Sequence, residues 1–153
     1  MQSDVNSLLV QAENRYLKSE ELQEFKRQAS TMAQRLKIYE FLRDREAAIF
    51  EPILKHLQAD IPEERQALLE PSLQRWILIL RHCAMAMLLD DMEYLENNLL
   101  GWLKGLVATH HSQDIETQIY QLLLARLQEL LSPKAIKYLQ PSLDRAKDTL
   151  LGD

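Results

Sequence analysis

Two adjoining stretches constrain this chain more than any other feature: Trp76-Ile77-Leu78-Ile79-Leu80, and Cys83 through Leu89, separated only by Arg81 and His82. Read as a helix, the first stretch is apolar on every face and the second is nearly so. Such a helix must be covered on both sides, by a core and by a further layer or a partner. The rest of the chain must therefore supply elements that wrap around it. Only three glycines and five prolines interrupt 153 residues rich in Leu, Gln, Glu, Ala and Arg. That composition favours helix. No stretch has a convincing strand pattern, so the fold class is all-α.

The length suits a single domain with a substantial core. A net charge of −5 with no dense basic run argues against nucleic-acid binding, which needs a cationic surface. One cysteine, Cys83, excludes an internal disulfide and is compatible with a reducing compartment. The first residues lack the basic start and apolar core of a signal peptide. No segment approaches the roughly 18–20 apolar residues that span a bilayer. The expectation is a soluble protein, with peripheral membrane contact left open.

Residues 1–18 read as a helical extension, with Val5, Leu8, Leu9 and Ala12 at helical spacing between Asp4 and Asn14. Ser19 stands before Glu20-Glu21 as an N-cap with an acidic first turn. The helix then runs through Phe25, Met32, Leu36, Tyr39 and Leu42. Glu46 to Leu57 continues as a helix that Pro52 kinks or breaks. Asp60 to Glu64 is a turn, and Pro71 opens the central helix. Met92 to His111 reads as helical, Ser112-Gln113-Asp114 as punctuation, and Ile115 to Leu131 as the next helix. Ser132-Pro133 caps a last helix that Pro141-Ser142 breaks or kinks before Leu143 to Leu151.

Ser72 through Arg81, followed by Asp90-Asp91, resembles the chromophore-bearing helix of the phycobiliproteins, light-harvesting globin relatives of cyanobacteria. In that family the helix reads roughly Cys-x-Arg-Asp-x-x-Tyr-Tyr-Leu-Arg, with a Gly-Asp turn further on. Leu80-Arg81 matches its close and Asp90-Asp91 its turn. Ala12-Glu13-Asn14-Arg15-Tyr16-Leu17 with Glu21-Leu22 resembles the family's Ala-x-x-Arg-Tyr-Leu-x-x-x-Glu-Leu segment. Arg35-Leu36, Leu42, Glu46 and Ile49, and later Leu131-Ser132-Pro133, extend the similarity. The resemblance implies one globin-like domain over 1–153, with two short N-terminal helices protruding from a core of residues 19–153.

Several positions depart from the family pattern. Ser72 stands where the bilin-bearing cysteine would be, and a serine hydroxyl cannot form the thioether that fixes a bilin. Gln74 and Arg75 replace the arginine and aspartate that in the family hold the propionate and the pyrrole nitrogens. Arg75 thus sets a cation where a protonated bilin needs an anion. The paired tyrosines have become Leu78-Ile79. Gln11 replaces an acidic residue that pairs across the family's heterodimer with the arginine matching Arg81. About twenty extra residues around 92–112 read as an insertion.

The expectation at Ser72, Gln74, Arg75 and Trp76 is a degenerate bilin pocket with no cofactor. Its alternative is non-covalent tetrapyrrole binding, with Trp76 stacking or His82 as a haem ligand. Cys83 lies eleven residues beyond Ser72, roughly 16 Å along a helix, and reads as a buried structural thiol. His56, His82, His110 and His111 show no helical zinc spacing, so no metal is expected. Asp90, Asp91, Glu93 and Glu96 read as a solvated face or turn. No nucleophile–base motif or phosphate-binding glycine loop occurs, which argues against an enzyme. Leu99 to Ala108 is too short to cross a membrane. Its Gly101 and Gly105 offer a small helix face, and Trp102, Leu103 and Leu106 are candidates for partner or bilayer contact.

These readings converge on a bilin-free, non-catalytic adaptor in assembly or regulation of the photosynthetic apparatus. Its expected partners are photosystem or phycobilisome subunits, in a homo- or heterodimer or a larger assembly. Arg15, Tyr16 and Arg81 would serve the inherited dimer-type surface, and Trp102, Leu103 and Leu106 a newer one. The expected location is the cytoplasm, at the cytoplasmic face of the thylakoid membrane. The alternatives are a tetrapyrrole sensor or carrier and a peripheral membrane-binding protein.

Overall fold

The computed structural model describes residues 6, 7, 10, 16–101, 103, 105 and 112–152, with the Leu100 side chain left aside. The expected extension over 1–18 falls largely outside these, Arg15 included; Asn6, Ser7 and Val10 are helical. Among the described residues six α-helices follow: α1 (Ser19–Asp44), α2 (Glu46–Asp60), α3 (Leu69–Leu89), α4 (Met92–Leu95), α5 (Gln113–Leu130) and α6 (Pro133–Leu151). A 3-10 segment, Glu63–Leu68, leads into α3, and a π-helical segment, Glu96–Leu100, follows α4. No strand occurs among the described residues. None of the described helices is long and apolar enough to cross a membrane.

The doubly apolar segment becomes the centre of the fold. Helix α3 packs against α1, α2, α4, α5 and α6. It buries Leu73, Trp76, Ile79, Leu80, Cys83 and Met87, and each large apolar side chain contributes roughly 1.5–3 kcal/mol on leaving water. Around it close Ile49, Ile53 and Leu57 of α2, Ile115, Ile119, Leu123 and Leu127 of α5, and Leu139, Leu143 and Leu150 of α6.

Proline positions depart from expectation, each for a local reason. Pro71 does not open α3. The helix begins two residues earlier, at Leu69, and Pro71 falls within the first turn, where backbone N–H groups have no intrahelical acceptor anyway. Neither Pro52 nor Pro141 breaks its helix. Pro52 cannot donate to the carbonyl of Ala48, one turn back. Arg126 reaches across from α5 and gives that carbonyl a hydrogen bond from Nη2 at 3.1 Å. The carbonyl that Pro141 leaves without its donor belongs to the exposed Lys137, where water is at hand.

Capping is also partly rearranged. Lys18, not Ser19, precedes the first turn of α1, and its N–H donates to Glu21 Oε1 at 3.2 Å. Ser132 does cap α6, its Oγ accepting from the Ala135 N–H at 3.1 Å. The Asp90-Asp91 turn closes α3 with Asp90 in the left-handed region at φ 52°. There Asp91 N–H donates to Ala86 O at 3.0 Å and Asp90 N–H to Met87 O at 3.2 Å, a Schellman arrangement. The buried Arg35 of α1 donates to the next free carbonyl, Leu88, at 2.8 Å. Asp91 then caps α4 through the Glu93 N–H.

Candidate functional site

Ser72, Arg75 and Trp76 lie at i, i+3 and i+4 of α3 and so share a face. They meet the first turn of α5. Arg75 donates to Glu116 Oε1 from Nε at 2.9 Å and from Nη2 at 2.6 Å, and Nη2 also approaches Ser72 Oγ at 3.0 Å and Ser112 Oγ at 3.2 Å. Trp76 Nε1 donates to the second oxygen, Glu116 Oε2. Ser112 Oγ donates to Oε1 at 3.3 Å. Both carboxylate oxygens are thus engaged in a site where Glu116 is 1 % and Arg75 12 % exposed. Trp76 is fully buried, tilted against Tyr120 with ring centroids 5.7 Å apart.

This constellation is closed on itself. The guanidinium offsets the carboxylate charge, and Ser72 Oγ accepts from Arg75 rather than donating to a base. What it does physically is tie α3 to α5 and fill the face that carries Ser72. Gln74 is not part of it: this residue is exposed and lines a separate groove of about 360 Å³ with Leu54, Gln58, Leu73 and Ile77. The four expected pocket residues therefore divide into a buried trio and one outlier. Sequence reasoning missed Glu116. The signal was a carboxylate set inside the apolar stripe Ile115, Ile119, Tyr120, Leu123 of α5, where a charge needs a partner.

Cys83 is wholly buried, and burial pushes its thiol up to about 12. It donates to Ser142 O at 3.5 Å while Ser142 Oγ donates back to Cys83 O at 3.2 Å. That is a structural thiol, with little thiolate available for chemistry. His82 stacks on Tyr94, centroids 6.0 Å apart, and its Nδ1 lies 2.9 Å from Leu78 O. His56 pairs with Asp60 at 2.9 Å, and His110 and His111 lie outside the described residues. Among the described residues no group of three or more His, Cys, Asp or Glu side chains is placed to hold a metal ion.

Arg81 sits elsewhere, on the exposed side of α3. It forms a two-pronged pair with Glu46 at the start of α2, Nε to Oε1 at 2.7 Å and Nη2 to Oε2 at 2.8 Å. The guanidinium holds the Glu46 carboxyl below the usual carboxylate range. The pair flanks a groove of about 260 Å³ lined by Tyr39, Leu42, Arg43, Leu80 and Ala84. Tyr16 is 97 % exposed just ahead of α1.

Leu103 does not face a partner. With Leu95 and Leu99 it forms a row at four-residue intervals, and all three are buried in the core. Trp102 and Leu106 lie outside the described residues, so the proposed newer contact surface loses its one described member. Of the acidic cluster, Asp91 is a cap and Glu96 pairs with Arg145 of α6.

A comparison with curated proteins found no match. A family model, described as "Phycobilisome protein", matches residues 9–150, which takes in every described helix from α1 to α5 and all but the last residue of α6. That match spans the all-helical fold, and on it the chain belongs to the phycobilisome protein family.

Proposed function

We propose that this chain is a bilin-free, non-catalytic adaptor that works by protein–protein contact in a phycobilisome-related role. Family membership supports that general setting. One observation carries the bilin-free part: the face bearing Ser72 is occupied by the chain's own buried Arg75–Glu116 pair, with Trp76 hydrogen-bonded to the same carboxylate. A bilin set there would have to displace a guanidinium from its carboxylate and expose a buried indole, and the one cysteine is sealed in the core. The partners are photosystem or phycobilisome subunits, met at the cytoplasmic face of the thylakoid membrane through the surface around Tyr16 and Arg81.

The test has two arms. Co-expression with a bilin or haem synthesis pathway is expected to yield a colourless protein. A stoichiometric pigment, removed by substitution of Trp76 or His82, would replace the adaptor with a tetrapyrrole carrier. Affinity purification from a phycobilisome-bearing cell, with quantitative mass spectrometry, is expected to enrich antenna or photosystem subunits over an unrelated helical bait. No such enrichment, together with flotation on anionic or galactolipid vesicles, would favour a membrane-binding role.

A further inference from the structure

Helices α2 and α5 lie side by side and run antiparallel, pinned near both ends by side chains. Arg126, near the end of α5, donates to the Ala48 carbonyl near the start of α2. Just past the end of α2, Arg65 pairs with Asp114 in the first turn of α5 at 2.8 Å. At 1.5 Å per residue the two helices are about 22 and 27 Å long, so they hold two corners of the chain well apart. At one corner α1 passes into α2 and α5 into α6; at the other, α2 passes through the 3-10 segment into α3.

Once the internal ion pairs are set aside, the two corners carry opposite charge. At the first, Arg43 pairs with Asp44, Arg81 with Glu46 and Arg126 with Glu129. Arg45, Lys134 and Lys137 remain, all exposed and none in an ion pair with a described residue. Arg45 lies over the Phe41 ring and acts on Asp44 only through space. At the second corner Arg65 holds Asp114 and His56 meets Asp60. Glu63, Glu64 and Glu70 remain, again exposed and without an ion pair to a described residue. The shapes also differ. Lys134 and Lys137, with Pro133 and the half-buried Tyr138, line an open hollow of about 580 Å³. The exposed Pro62, Glu63 and Glu64 instead form the outside of a bend at the start of the 3-10 segment.

We propose that this chain associates weakly with further copies of itself, head to tail, the acidic bend at 62–64 of one copy seating in the hollow that Lys134 and Lys137 line on the next. Both halves of the contact are on one chain, three unpaired cations against three unpaired carboxylates. A two-fold contact at either corner would set like charge against like, so the complementary arrangement is the heterologous one, which continues from copy to copy. Exposed pairs contribute little individually, so the association depends on concentration and on salt. It uses neither Tyr16 nor Arg81 and goes beyond the adaptor reading, which does not depend on it.

Sedimentation of the full chain over a range of concentrations tests it. Association is expected at about 0.1 M salt and its loss near 1 M, where the screening length falls from about 10 to 3 Å. Two charge reversals then separate the corners. Lys134→Glu/Lys137→Glu leaves both corners acidic, and Glu63→Lys/Glu64→Lys leaves both basic. Each variant alone should associate about tenfold more weakly than the parent or not at all, whereas an equimolar mixture of the two should associate again, because every corner then meets its opposite. Thermal melts check that both variants keep the fold. If a reversal disturbs it, Lys134→Gln/Lys137→Gln and Glu63→Gln/Glu64→Gln serve instead, each weakening association with no recovery on mixing. A parent that stays monomeric at both salts, a variant that associates as the parent does, or a mixture of folded reversals that stays monomeric overturns the proposal. So does a monomeric parent that binds anionic vesicles through Lys134 and Lys137, which would assign the basic corner to a membrane. None of these outcomes bears on the enrichment of antenna or photosystem subunits, which tests the adaptor reading separately.

Discussion

Removing one half of the Arg75–Glu116 pair should be among the most damaging polar substitutions in this protein. Arg75→Met leaves a carboxylate that is 1 % exposed with only Trp76 and Ser112 to hold it; Glu116→Gln leaves a guanidinium 12 % exposed with no opposite charge. Stranding a buried charge in this way costs about 3–5 kcal/mol. For a chain of this length each kcal/mol lowers Tm by about 2–4 °C, so each single variant should melt roughly 6–20 °C below the parent. The double variant Arg75→Met/Glu116→Gln has no charge to strand and keeps an amide oxygen for Trp76 Nε1. Its expected loss is about 1 kcal/mol, the scale of one neutral hydrogen bond. Urea unfolding followed by far-UV circular dichroism gives the three free energies and the coupling between the sites. The coupling should exceed about 3 kcal/mol. If each single loss is under about 1 kcal/mol, or the two losses simply add in the double variant, the pair is not the buried clasp described above.

Between pH 9 and about 12 the native Cys83 thiol keeps a proton that the unfolded chain has released. Stability should therefore fall as pH rises through that window, by about 1.4 kcal/mol per pH unit, and Cys83→Ala should remove that part of the slope in denaturant titrations run against pH. Arg126→Met should cost about 1–2 kcal/mol by leaving the Ala48 carbonyl without a donor. In a Pro52→Ala background, where residue 52 regains its N–H, the same change should cost little; equal costs in both backgrounds would show that Arg126 does not serve that carbonyl. At the left-handed position, Asp90→Ala should cost about 1–2 kcal/mol, and Asp90→Asn, which tolerates positive φ, should cost less by the same measurement, losing the charge that acts on the buried Arg35 but not the backbone fit.

Much of the architecture is readable along the chain because helix periodicity and capping are local. The all-round apolar segment Trp76–Leu80 forces a central, covered helix. Ser132-Pro133 announces α6, and Asp90-Asp91 ends α3. What local patterns misjudge are the places where a distant group intervenes. Pro52 looks like a break until Arg126, 78 residues from Ala48, supplies the missing hydrogen bond. Leu103 looks like a contact residue until the rest of the fold closes over it and buries it with Leu95 and Leu99.

The candidate site divides in the same way. By itself the sequence determined the helical class, the family, and the presence of a serine and an arginine on the chromophore-type helix, because residue identities and near spacings are written in one dimension. Only the tertiary structure decided what that arginine does. Glu116 lies 41 residues from Arg75, and no helical period connects them. Their pairing follows from the packing of α3 on α5, which takes both charges out of water and makes each the other's compensation. The same holds for Arg81. Its exposure on α3 was legible, but its present partner, Glu46, was chosen by the way α2 starts beside it. Burial and charge pairing depend on which surfaces meet, and that is settled only when the chain is folded.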